Sequence, residues 1–229
     1  RELFFRRKLE DQRYLFEFGL GRGGVKIGTG MAAGQKFNNL MQYATLRAAG
    51  ITNFNDLPIP YRAVATDLAS GNPYVIDHGN LGLAMRASMA VPGAFTPIEL
   101  DGHVLVDGGV VDNLPVDVVR AMGADVIIAV DVGAGSDQVD PASFRSLGGI
   151  LGRTYAIAQR PGQVEQFKRA DIGIQPDLTG LSAAQFDRVA EFIPLGEQAA
   201  REKESELARL RVDEERYADF LARQRRPHP

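Results

Sequence analysis

The stretch HVLVDGGVVDNLPVDVVRAMGADVIIAVDV, residues 103 to 132, places two apolar runs on either side of a segment with helical spacing. The first run is short enough for a strand and stops at Asp107. Residues 114 to 124 repeat apolar side chains with a helical period, with Gly123 near the C-terminal end. Residues 125 to 132 are almost uninterruptedly apolar, which is typical of a strand covered on both faces. Strand, helix and strand in this order predict a parallel or mixed sheet flanked by helices, the α/β class.

The rest of the chain extends this pattern on both sides. Upstream, apolar runs and turn residues predict strands at 14–20, 25–30 and 62–66, a helix at 35–49 that ends at Gly50, and a short helix that ends at Pro92-Gly93. Downstream of residue 141 the pattern is mostly helical, and DIGIQP at 171–176 predicts a last edge strand. The charged segment from residue 196 onward is typical of a solvated helix followed by a basic tail.

Size and composition exclude several classes of function. The 229 residues are 45% hydrophobic and 24% charged, an ordinary globular balance. A net charge of −3 provides no basic field for nucleic acid or an anionic bilayer, so we expect no nucleic-acid partner. There is no cysteine, and no apolar run reaches the ~20 residues of a transmembrane helix. Because the sequence starts RELFF without an initiator methionine, we expect it to be a piece of a longer chain.

Two glycine-rich stretches imitate nucleotide-binding loops. GLGRGG, residues 19 to 24, has three spaced glycines after a predicted strand, but VKIGTG follows where a phosphate-binding helix should begin. The stretch therefore favours a hairpin, and a nucleotide-binding domain is the weaker alternative. Gly133 and Gly135 repeat the pattern without a third glycine, since Gln138 stands there.

The chain has no serine nucleophile elbow. GTGMAAG, residues 28 to 34, resembles one, but Gly30 occupies the place of the serine. An elbow requires glycine two residues before and two residues after the serine, because the strained turn has no room for side chains. None of the seven serines, at 70, 88, 136, 143, 146, 182 and 205, has glycine at both positions.

Asp107 admits two interpretations. A carboxylate at the end of a sheet strand lies where open α/β folds place reacting groups, and two glycines after it leave space for a partner or for unusual backbone conformations. Asp107 would then accept a proton from a hydroxyl nucleophile. Alternatively, it initiates a turn or caps the helix that follows, as aspartate often does.

A wider series of motifs resembles the patatin-like phospholipase family, in particular the bacterial branch similar to neuropathy target esterase. LPIP with VATDL, RASMAVPG, VDGG with NLPV, and GAD before an apolar strand occur in that family's order and spacing between residues 57 and 133. The resemblance is weaker upstream, through RRKLEDQRYLFEFGL and GMAAGQKF. Joint agreement of several motifs is far more specific than any one of them.

The resemblance implies a three-layer patatin-like α/β fold without its N-terminal strands. Residues 1 to 176 would be the C-terminal part of the phospholipase domain, and residues 177 to 229 a charged helical extension. In this family a serine in a Gly-x-Ser-x-Gly elbow and an aspartate in an Asp-Gly-Gly or Asp-Gly-Ala motif form a catalytic Ser-Asp dyad. The Asp-Gly-Gly motif corresponds here to Asp107, Gly108 and Gly109. The serine and the glycine-rich oxyanion loop lie upstream of the matched motifs. We therefore expect this chain to contain only half of the active site and to be inactive by itself. We expect the reaction to need no cofactor and no metal ion.

The implied substrate is a lipid or phospholipid ester at a membrane or micelle surface. A non-catalytic lipid-binding or interaction remnant of the same fold is the alternative. The final twenty residues resemble the junction where some bacterial patatin domains continue into exported modules with an outer-membrane barrel. The compartment therefore follows from the parent gene, cytoplasmic if it ends here and exported if it continues.

Other polar residues are expected to have structural roles. Asp67 ends a strand and would brace a loop, Ser88 would hydrogen-bond within its helix turn, and Asp131 would bind backbone. His78, His103 and His228 fall in turns or the tail, where we expect them to be solvated. No histidine or carboxylate cluster has metal-ligand spacing.

Overall fold

The computed structural model describes residues 18–21, 24–27, 34–133, 145, 147–181 and 188–224. The chain divides into two compact units, an N-terminal unit of residues 1–109 and a C-terminal unit of residues 110–229. Both contain helices and strands, which confirms the predicted α/β class. The boundary between the units falls directly after the Asp-Gly-Gly motif.

The described residues form eight strands. They are β1 (Phe18–Gly21), β2 (Gly24–Ile27), β3 (Ala63–Asp67), β4 (Pro73–Ile76), β5 (Ile98–Leu100), β6 (His103–Asp107), β7 (Ile128–Val130) and β8 (Ile172–Ile174).

Seven α-helices and several 3-10 turns connect these strands in the described part of the chain. The helices are α1 (Gly34–Ala44), α2 (Leu81–Ser88), α3 (Val116–Ala121), α4 (Leu147–Lys168), α5 (Val189–Glu202), α6 (Glu204–Leu207) and α7 (Glu214–Gln224).

In the N-terminal unit a four-stranded antiparallel sheet has the order β4-β3-β6-β5. All five residues of β3 are buried, because this strand lies inside the sheet and α2 packs against β3 and β6. The core beneath it is built around Phe54, Ile76 and Leu105, each at most 2% exposed. Asp101 and Gly102 close the β5–β6 hairpin with positive φ angles, as a two-residue turn requires.

β1 and β2 pair as an antiparallel hairpin, from Phe18 opposite Ile27 to Gly21 opposite Gly24. The hairpin expectation for GLGRGG is therefore confirmed in the strands. Its turn residues 22–23 lie outside the described residues, as do residues 28–33 of GTGMAAG and the second glycine stretch from residue 134.

In the C-terminal unit β7 and β8 pair in parallel, with Ala129 opposite Gly173. The edge strand predicted at 171–176 is thus present as β8. Val116, Ile127 and Ala129 form a small core against which Phe167 packs. The α3 helix gives way to Gly123, whose φ of 90° is the left-handed conformation expected after a helix.

The prediction that the strand within residues 125–132 is covered on both faces is wrong for its described surroundings. Ile128 and Val130 are 45% and 47% exposed, whereas Ala129 between them is buried. Only one side of β7 packs against the small core of its unit. The strand–helix–strand segment also does not form one parallel pair, since β6 belongs to the antiparallel sheet and β7 pairs with β8.

Candidate active site

Asp107 is the last residue of β6, and hydrogen bonds hold its backbone on both sides. Its N–H donates to Ala90 O at 3.0 Å. Its carbonyl oxygen accepts the Thr66 hydroxyl at 2.9 Å. Asp107 lies opposite Ala65, the final pair of the β3–β6 ladder. Both peptide groups that flank this residue are therefore immobilised.

The carboxylate of Asp107 is fixed by the turn that follows. Its Oδ1 accepts the backbone N–H of Gly109 at 2.7 Å, two residues along the chain. This local turn is common for aspartate and orients the carboxyl group relative to its own backbone. The residue is half-buried, while Gly108 and Gly109 are buried. The geometry agrees with the interpretation that Asp107 initiates a turn, and its role as a proton acceptor stays a prediction.

Gly108 is required by close contact. A Cβ added to this residue would lie 2.2 Å from Val64 O, a backbone atom of β3. Neither Gly108 nor Gly109 has a positive φ angle, so the backbone freedom that glycine allows is not used for a left-handed conformation here. Side-chain crowding is the correct part of the expectation, with β3 as the neighbour.

The end of β6 and the turn after it, residues 107–109, form what we call the Asp107 corner. The RASMAVPG segment is hydrogen-bonded to the strands at this corner. Ser88, at the end of α2, donates its hydroxyl to Val64 O at 2.7 Å. The expectation that Ser88 bonds within its own helix turn is therefore wrong, although its role is structural. Two residues later, Ala90 supplies the carbonyl that receives the Asp107 N–H. The segment thus holds both β3 and β6 at the point where their pairing stops.

Arg86 lies in the same segment and is 1% exposed. Its guanidinium stacks 4.6 Å from the Phe95 ring centre and donates to Thr96 O at 3.3 Å. Burial lowers the pKa of Arg86, and its Nε and Nη1 atoms have no hydrogen-bond partner among the described residues. The arginine therefore fixes the loop that carries Ala90.

Comparison with known proteins matches this site to one family. A sequence model of patatin-like phospholipases matches residues 1–120, just over half of the chain, including the Asp107 corner. The chain belongs to the patatin-like phospholipase family.

Individual relatives agree with the family match. An uncharacterized NTE family protein of Mycobacterium tuberculosis is 46% identical over 83 residues, which cover 36% of this chain and 23% of that protein. Patatin-like phospholipase domain-containing protein 7 of Mus musculus is 44% identical over 91 residues, 39% of this chain and 7% of that protein. Patatin-like phospholipase domain-containing protein 6 of Mus musculus is 37% identical over 118 residues, which cover 51% of this chain and 8% of that protein. The chain matches less than a quarter of the length of these relatives.

Asp67 of this patatin-like chain braces the turn after β3, which lies beside the beginning of β6 and not beside Asp107. Its carboxylate accepts the Ser70 hydroxyl at 2.8 Å and the Ala69 N–H at 3.2 Å. These hydrogen bonds, led by that of Ser70, lower the pKa of Asp67. Asp67 pairs with Leu105, two residues before Asp107 on β6, which agrees with the bracing role expected from the sequence.

The two histidines among the described residues contact carboxylates other than that of Asp107. His103 Nδ1 is 3.4 Å from Asp67 Oδ2 at the beginning of β6, the end opposite Asp107. His78 is 64% exposed and contacts Asp77 at 2.6 Å, a hydrogen bond that raises the pKa of His78. His228 lies outside the described residues.

Asp131 belongs to the C-terminal unit and is 1% exposed. Its carboxylate binds Arg160 at 3.1 Å, Gln175 at 2.8 Å, the Gly133 N–H at 2.9 Å and the Gln163 amide. The prediction of a backbone partner is correct only in part, since three of these four donors are side chains. All of them satisfy the buried charge, which assigns Asp131 a structural role.

Three features near the motif were not identified from the sequence. Thr66 binds the Asp107 carbonyl, and Arg86 binds Thr96 O in the loop that carries Ala90; the signal for each was a polar residue within an apolar segment. Asp112 has a buried Oδ1 without a hydrogen-bond partner among described residues, and burial, then the charge of Asp117, raises its pKa.

Among the residues that the structure describes, no group of three or more metal-ligating side chains comes together. In the same residues, no helix is both long and apolar enough to cross a membrane.

Proposed function

We propose that Asp107 is the proton acceptor of a Ser-Asp dyad that hydrolyses carboxylic esters of lipids. Family membership supports the reaction class, and the Asp-Gly-Gly corner supports the residue. The observation that carries the proposal is the hold on Asp107 by Ala90, Thr66 and Gly109. A general base needs such fixed geometry, because small displacements of a reacting group are costly in rate.

In the proposed reaction, the Asp107 carboxylate removes the proton of a serine hydroxyl as its oxygen attacks the ester carbonyl. The proton then passes to the departing alcohol as the ester C–O bond breaks, and an acyl-serine remains. Water then attacks the acyl group as Asp107 accepts its proton. The proton passes to the serine oxygen as the acyl–oxygen bond breaks, and the fatty acid is released. Gly108 carries no side chain that would lie between β3 and this corner.

The serine is proposed to come from a part of the parent protein outside these 229 residues. None of the seven serines in the chain has the two flanking glycines of an elbow. Ser88, in the segment that also holds the Asp107 N–H, donates its hydroxyl to Val64 O. The substrate is proposed to be a phospholipid or other lipid ester presented at a membrane or micelle surface.

The test compares Asp107→Asn with unaltered protein in the full-length gene product. We expect hydrolysis of p-nitrophenyl butyrate and of a fluorescent phospholipid to fall between about 10²- and 10⁴-fold, because the base is lost. Asp101→Asn is the matched control, since Asp101 lies in the turn at the other end of the same hairpin and tolerates asparagine at its positive φ. The 229-residue chain alone should not hydrolyse either ester.

Two results would overturn the proposal. One is full activity of Asp107→Asn, and the other is Asp107-dependent hydrolysis by the 229-residue chain alone, which would place the nucleophile inside it. A parent protein that co-sediments with phosphatidylcholine liposomes but hydrolyses no ester would instead support the non-catalytic lipid-binding alternative.

A further inference from the structure

We infer that Thr66 is a positioning residue for Asp107, an inference that rests on the proposed function and identifies the side chain that keeps the base oriented. Thr66 lies on β3, is 2% exposed, and donates its hydroxyl to the carbonyl oxygen of Asp107 at 2.9 Å. The two residues are 41 positions apart in sequence. The bond therefore joins two motifs, VATDL and VDGG, that the sequence shows only as separate features.

The choice of residue type at position 66 indicates that the hydroxyl has a purpose. The preceding residues of β3 are Ala63, Val64 and Ala65, all buried. Valine has nearly the shape of threonine and equal or better preference for a strand. A buried hydroxyl costs free energy unless it is hydrogen-bonded. Among the described residues, that hydroxyl donates to the carbonyl of Asp107.

The position of the accepting atom explains how the carboxylate is controlled. Asp107 O belongs to the peptide group that joins Asp107 to Gly108, and the 3-10 turn Gly108–Val110 begins there. The next peptide N–H, that of Gly109, donates to Asp107 Oδ1. Fixing the first peptide plane therefore fixes the direction from which Gly109 reaches the carboxylate.

The hold by Thr66 complements the one from Ala90. Ala90 O receives the N–H that precedes the Asp107 side chain, and Thr66 binds the carbonyl that follows it. Without the Thr66 hydroxyl, the peptide after Asp107 would lose this hydrogen bond at a residue followed by glycine, where the backbone is most permissive. The carboxylate would keep its chemistry but lose its fixed orientation.

The test uses Thr66→Val, which keeps the shape and removes the hydroxyl, and Thr66→Ser, which keeps the hydroxyl. In the 229-residue chain we expect Thr66→Val to accelerate hydrogen exchange of the Gly109 amide about 5- to 10-fold, measured by NMR. Thr66→Ser should restore slow exchange. In the full-length gene product Thr66→Val should lower kcat about 10-fold while KM changes less than about twofold.

Ser88→Ala is the matched control, because it also removes a buried hydroxyl bonded to a backbone carbonyl, that of Val64. We expect Ser88→Ala to lower the melting temperature without accelerating exchange at Gly109. Equal acceleration in Ser88→Ala and Thr66→Val would overturn the inference, since it would show general loosening. If Thr66→Val does not fold, Thr66→Ala is read by the same exchange measurement.

The outcomes separate this inference from the proposed function. Unchanged Gly109 exchange and kcat in Thr66→Val, in a parent protein whose activity depends on Asp107, overturn the inference alone. Accelerated exchange in a parent protein without Asp107-dependent hydrolysis overturns the proposed function and leaves Thr66 as the anchor of this carboxylate.

Discussion

Gly108 is a position of the Asp107 corner where the structure leaves no space for a side chain. We expect Gly108→Ala to lower the free energy of unfolding by about 1–3 kcal/mol, because its Cβ would lie 2.2 Å from Val64 O and that backbone atom cannot rotate away. Hydrolysis by the parent protein should also fall, since relief of the clash moves the strand end that carries Asp107. Urea unfolding and an ester assay measure the two effects.

A second glycine provides the control for this substitution. Gly196, within α5, has no atom within 4 Å of an added Cβ and no positive φ. Gly196→Ala should therefore stabilise the chain by roughly 0.5–1 kcal/mol, the usual gain of alanine over glycine in a helix. Equal stability of Gly108→Ala and unaltered protein would contradict the close packing described for Gly108.

Single residues divide into those that the sequence identifies and those that it does not. The position of the Asp-Gly-Gly turn is readable because the motif is local and short, whereas the role of Asp107 as a base stays a prediction. The contacts of Thr66 and Arg86 are not readable, since each acts on a chain segment 10 or 41 positions away. The Thr66 bond depends on strand register and the Arg86 bond on the path of the loop after α2, and one sequence reveals neither.

At the scale of elements, Asp131 joins the end of β7 to α4 and to the residue after β8. We expect Asp131→Asn to destabilise the chain by about 2–4 kcal/mol, because an amide nitrogen would face Arg160 and the glutamine donors that now bind a carboxylate. The measurement is the midpoint of urea unfolding, together with hydrogen exchange of the β7 and β8 amides.

Asp177→Asn is the comparison for that change. Asp177 is exposed, and its carboxylate accepts hydrogen bonds from the nearby Thr179, including the N–H at 3.0 Å. Its substitution should alter stability by less than about 0.5 kcal/mol. Similar losses for both variants would show that burial of Asp131 does not determine its contribution.

Element positions were more predictable than element surroundings. Periodicity placed α1, α2, β6 and β8 in the correct segments, because spacing of apolar residues is a local property. The α1 and α2 helices end earlier than predicted, at Ala44 and Ser88. The same apolar run gave the wrong environment for β7, since a continuous run does not specify which face another element covers. Strand partners could not be read from the sequence, and the antiparallel order β4-β3-β6-β5 depends on pairing between residues up to 42 positions apart.

For the whole molecule, carboxylates in both units predict loss of stability in acid. Hydrogen bonds or ion pairs lower the pKa values of Asp67, Asp77, Asp171, Asp177 and Glu191. A group whose pKa is lowered by folding contributes stability that is present above its unfolded pKa, about 4, and lost as pH falls through the folded pKa. Asp112 acts in the opposite direction, because burial raises its pKa.

We therefore expect the melting temperature to fall as the pH decreases from about 5 to about 3. Five carboxylates of the described residues have a lowered pKa, whereas the pKa of Asp112 is raised, so their combined loss of stability exceeds its gain. Asp67→Asn tests the assignment, because it removes one titrating group while its amide oxygen still accepts the N–H of Ala69. The variant should be less stable at pH 7 and show a shallower decline in acid. A decline as steep as that of unaltered protein would mean that the turn after β3 does not contribute, and the acid sensitivity would then belong to the other four carboxylates.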